Sequence, residues 1–95
     1  MKVTLTQPPD AFFWLQWQSV APLEETLELE MGEFDIEDGS DMALMVSNLR
    51  NLLLRGQRLR LVEPPQLVVH NLYRVNAWPH PLLEVVNMRE EEVYG

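Results

Sequence analysis

Between Thr26 and Val62 the apolar period of the chain changes twice. In TLELEM, Leu27, Leu29 and Met31 alternate with Glu28 and Glu30, the period of two that marks a half-buried strand. From Met42 onward, Met42, Met45, Val46, Leu49, Leu52 and Leu53 recur at helical spacing and make one stripe. Gly56 closes that stripe as a left-handed residue, with Arg50 and Arg55 near the negative helix end. QRLRLV then returns to period two through Leu59 and Leu61. A strand, a helix and a strand following one another this closely call for a right-handed crossover and a parallel pair.

The flanking segments extend that unit. EPP stops the second strand, and Pro65 can open another helix in which Val68, Leu72 and Val75 share a side. PLLEVV supplies a last strand. At the other end, KVTLTQ places Val3 and Leu5 on one side and runs into PPD, which reads as a turn. The aromatic-rich AFFWLQWQS reads as a strand returning from that turn. The expectation is an N-terminal β-hairpin over residues 2–19, the short connection VAPLEE, a βαβαβ core over residues 26–86 and a charged, frayed tail over residues 87–95. Glu28, Glu30, Arg58 and Arg60 cannot all point into apolar layers. The expected fold is therefore a two-layer α/β domain, with a mixed, mostly parallel sheet and helices on one face.

Size and charge narrow the function. The 95 residues suffice for one domain, and 46% hydrophobic content is that of a globular chain. Seven basic residues against 15 acidic ones give a net charge of −8, which repels phosphate backbones and anionic lipid. Nucleic acid and a membrane surface are poor partners on that ground, a protein with a basic face is favoured, and no membrane insertion is expected. The absence of cysteine removes disulfides, thiolate metal sites and Cys nucleophiles. No charged-then-apolar leader opens the sequence, and no apolar run approaches about 18 residues. A soluble cytoplasmic protein is expected.

The stretch LELEMGEFDIEDGSDMALMVSNLRNLLLRGQRLRLVEPPQLVVHNLYRVNAW resembles the STAS domain family, the module shared by sulphate transporters and bacterial anti-sigma-factor antagonists. The likeness covers about residues 26–78 and lies in the order of elements: a strand ending in an acidic, small-residue turn, a helix, an Arg-rich strand, a Pro-containing turn and a short helix. The family turn reads Asp-Ser-Ser/Thr-Gly. Asp38 matches its aspartate, Gly39 stands at the phosphorylatable serine, Ser40 matches the next Ser/Thr, and Asp41 replaces the glycine. The helix that the family carries between its second and third strands reads here as shrunk to VAPLEE. The resemblance implies a non-enzymatic module of bacterial signal transduction and transcription regulation, docking an anti-sigma-factor kinase-like protein. The alternative it leaves is a fixed STAS subunit of a larger assembly, such as the accessory protein of an ABC-type lipid transporter.

On this reading Asp38, Gly39, Ser40, Asp41, Met42 and Met45 form the partner-binding surface, although the Met42 and Met45 stripe is most simply core. The plainer account of DGSD is a helix cap, in which Asp38 or Ser40 accepts a backbone hydrogen bond and Asp41 faces the positive helix end. Ser40 is the residue left to carry a phosphate. A helix N-terminus suits one, but Glu37, Asp38 and Asp41 crowd the position with like charge. Capping without phospho-control is the expectation. Phe12, Phe13, Trp14 and Trp17 fall on both sides of the expected first-hairpin strand. They either plug core exposed by the short connection, or leave Phe12, Trp14 and Trp17 as a patch for a partner or a second copy in a homodimer. His70 and His80 have no companion at ligand spacing, and EFDIEDGSD lacks the ligand pattern of a calcium loop. No catalytic constellation, metal site or cofactor is expected.

Overall fold

The computed structural model describes residues 1–18 and 24–90. Among the described residues four strands and three helices alternate: β1 (Lys2–Thr4), α1 (Ala11–Gln18), β2 (Leu27–Glu30), α2 (Gly39–Leu54), β3 (Leu59–Val62), α3 (Gln66–Arg74) and β4 (Leu83–Val86). The strands form one sheet in the order β1-β2-β3-β4, and every neighbouring pair is parallel. Sequential parallel strands joined by right-handed crossovers place all their helices on the same face. The expected two-layer α/β architecture is what the chain adopts, and its sheet is wholly parallel.

The register sorts the sheet into alternating rows. Leu27, Leu59 and Leu83 are level with one another, as are Val3, Leu29, Leu61 and Val85. Leu27, Leu29, Leu59 and Leu61 are fully buried and meet Met45, Leu49, Leu52, Leu53, Val68 and Leu72 of the helices. The rows between them point the other way. Lys2, Glu28, Arg60 and Glu84 are level across the sheet, so charge alternates in sign along the row. Arg60 pairs with Glu28 at 3.2 Å and with Glu84 at 2.8 Å, and Lys2 pairs with Glu30 at 3.0 Å. The uncovered face neutralises itself, and so it sits in water without a second layer of helices.

The N-terminal hairpin is the expectation that fails. AFFWLQWQ is α1, and β1 pairs with β2 in parallel, so no hairpin spans residues 2–19. The cause lies in PPD. Asp10 caps the helix, its carboxylate accepting the backbone N–H of Phe13 at 3.0 Å, while its carbonyl accepts that of Trp14 at 3.4 Å. Phe13, Trp14, Trp17 and Gln18 then turn inward at helical spacing, and Phe12 and Leu15 turn outward. Trp14 is 1% exposed, with the Phe13 ring set edge-on to it at 5.0 Å. Arg55, at the C-terminal end of α2, donates to the carbonyls of Gln18 at 2.6 Å and Trp17 at 3.3 Å, tying α1 to α2.

The described start of the tail, residues 87–90, is tied to the sheet. Arg89 donates its backbone N–H to the Pro64 carbonyl at 3.0 Å and extends the parallel pairing beyond β4. The rest of the acidic tail, residues 91–95, and most of the VAPLEE connection lie outside the described residues. No described helix is long and apolar enough to cross a membrane.

Candidate functional site

In open parallel sheets the loops that follow the strands, and the helix N-termini beside them, cluster at one end. Here that end carries Glu33, Asp35, Glu37, Asp38 and Asp41 between β2 and the first turn of α2. The loop does not drift over the surface. Phe34 and Ile36 insert into the core at 5% and 6% exposure, while Glu33, Asp35 and Glu37 between them face water. Alternation carried through an irregular segment delivers the chain to Asp38 in extended conformation, with φ −80° and ψ 129°.

Asp38 is the helix cap. Its Oδ1 accepts the backbone N–H of Ser40 at 2.6 Å and that of Asp41 at 3.3 Å, and its carbonyl accepts that of Met42 at 3.0 Å. Two of the orphan donors of the first turn are thereby satisfied, and a negative charge sits at the positive helix end. Gly39 and Ser40 are exposed, and Asp41 and Met42 are half-buried. Open space surrounds the glycine: a Cβ added there meets nothing within 4 Å. Gly39 is not demanded by packing, and a serine would fit. None of the ion pairs among the described residues reaches Glu37, Asp38 or Asp41.

Of the six sequence-predicted docking residues, five gather at this turn. Met45 does not. At 1% exposure it belongs to the core, because one full turn beyond the surface edge the helical stripe has already rotated inward. The outward continuation of the site is instead a groove between α2 and α3. Gly39, Met42, Ala43, Val46, Ser47, Asn71 and Val75 line a cavity of about 390 Å³. A second recess of about 260 Å³ shares Val46, Ser47 and Val75 and runs on to Arg50 and Asn51. The groove thus starts at an acidic edge, has an apolar floor and ends beside an exposed arginine. Sequence patterning missed Ala43, Ser47, Asn71 and Val75, since spacing within one helix does not show how far apart two helices stand. Val75 shares its side with Leu72, yet it is 38% exposed where Leu72 is fully buried.

The second expected patch dissolves in part. Trp14 is core, and Trp17 is half-buried against the same cluster. Phe12 at 76% and Leu15 at 55% exposure remain outside. His70 is exposed on α3, whereas His80 accepts the Leu82 backbone N–H at its Nδ1 at 3.0 Å. Among the described residues no cluster of three or more His, Cys, Asp or Glu side chains could hold a metal ion.

Comparison with known protein families, with curated proteins and with solved structures finds no match for this chain.

Proposed function

We propose that the chain is a STAS-like, non-enzymatic docking domain, an anti-sigma-factor-antagonist-like or related partner-switching regulator of the bacterial cytoplasm. Its partner engages the first turn of α2. The observation that carries this reading is the junction of a rigidly capped acidic turn with an apolar groove, at Gly39 and Met42. Small apolar floors bordered by charge are what protein interfaces use, with the charge steering the encounter and the floor supplying affinity. A net charge of −8 selects a partner with a basic face.

One further feature supports the family resemblance, and one departs from it. From β2 to α3 the elements follow the family order. At the phospho-acceptor position the chain carries Gly39, so docking here is not gated by a phosphate on that residue. The test is charge reversal. Asp41→Lys, with circular dichroism showing an intact fold, should abolish capture of the partner from the native host. Undiminished capture would remove the first turn of α2 from the interface.

A further inference from the structure

We infer that Arg89 is a positioning residue for the docking turn, fixing the loop between β2 and α2 from the far edge of the sheet. Arg89 follows β4, two strands away from that loop. Its Nη2 donates to the Phe34 carbonyl at 2.5 Å, its Nη1 pairs with Asp35 at 3.3 Å, and its Nε donates to the Glu63 carbonyl at 3.1 Å. With its backbone N–H on Pro64, one residue joins the ends of β2, β3 and β4.

The geometry around it is held in place at a cost. Glu63 lies in the left-handed region with φ 52°, where a non-glycine residue persists only if its surroundings enforce it. Its carbonyl is one of the three that Arg89 holds. A guanidinium presents several donors in a planar fork, and it is the side chain suited to bridging two backbone carbonyls and a carboxylate together. Asp35 contributes least to this, since its side chain is 81% exposed and an exposed pair adds little. The backbone carbonyls of Phe34 and Glu63 carry the tie. Phe34 stands four residues before the cap Asp38, so the loop it anchors sets where Ser40, Asp41 and Met42 face the groove.

The inference deepens the docking reading and, for its consequence, rests on it. Amide hydrogen exchange of the full chain tests the positioning by itself. Arg89→Ala should raise exchange about tenfold at amides 32–41, those of Ser40 and Asp41 included, while Leu29 and Leu61 in the sheet change less than about twofold. Arg89→Lys should fall between the two proteins, because a point charge cannot replace the fork. Asp35→Asn should stay near wild type. Exchange unchanged in the loop, or raised equally in loop and sheet, would overturn the assignment. So would full rescue by lysine. Photocrosslinking from position 47 then separates the two claims. A wild-type chain that forms no adduct sinks the docking reading alone, whatever the exchange shows. An adduct kept at full yield in Arg89→Ala, despite a loosened loop, sinks the link between Arg89 and docking.

Discussion

Asp38 Oδ1 lies 2.6 Å from the amide nitrogen of Ser40 and 3.3 Å from that of Asp41, so one carboxylate closes the first turn of the longest helix. Removing it should be felt as the loss of a cap. Asp38→Ala is expected to cost about 1 kcal/mol, which in a domain of this size lowers Tm by roughly 4–8 °C. Asp38→Asn keeps an acceptor oxygen and should cost less. Equal losses in thermal unfolding would mean that charge at the helix end, and not the hydrogen bond, is what matters.

The neighbouring Gly39 should accept a side chain. It is the first helical residue, a Cβ there finds open space, and serine has the better helix propensity. Gly39→Ser should therefore raise stability by a few tenths of a kcal/mol. A loss of about 1 kcal/mol or more in urea would show that the glycine answers to a constraint absent from the packing.

On α1, two rings spaced two residues apart should behave in opposite ways. Trp14→Ala empties a core site and is expected to cost about 3–5 kcal/mol. Phe12→Ala, at a residue 76% exposed, should stay within about 0.5 kcal/mol of wild type. Denaturant titration of both variants separates this helix from a strand, in which neighbouring residues 12 and 14 would share a face.

The uncovered sheet face makes a pH prediction. Hydrogen bonds from Lys2 and then Thr4 hold the Glu30 carboxyl below its ordinary range. A carboxylate depressed in the folded state stabilises above its unfolded value, and that contribution is lost as pH falls through the folded one. The Tm difference between wild type and Glu30→Gln should thus be constant above pH about 5 and shrink below pH about 4. A difference unchanged at low pH would show that the ion pair adds nothing.

How much of this was readable from the sequence depends on what selects a period. β2 and β3 were legible because charged residues alternate with apolar ones, as in LELE and LRLV, and α2 because its apolar residues recur at helical spacing. In AFFWLQWQ apolar residues occupy every side, so no period stands out, and the decision passes to Asp10, a cap that also passes for a turn residue. The Asp38 cap was legible because its partners lie two and three residues away. Arg89 was not. Its carbonyl partner Phe34 is 55 residues distant, and nothing local to an acidic tail marks one arginine as structural. Met45 was misplaced on the surface for a related reason: the stripe shows which residues share a side, not where along the helix that side begins to be covered.

In-cell photocrosslinking reads which face of the domain meets a partner. A photoreactive phenylalanine analogue placed at Ser47, on the α2–α3 groove, is compared with one at Glu84, on the self-neutralised sheet face. Docking through the groove should give one dominant adduct from position 47, lost on adding Asp41→Lys, and none from position 84. An adduct from position 84 with none from position 47 would contradict it.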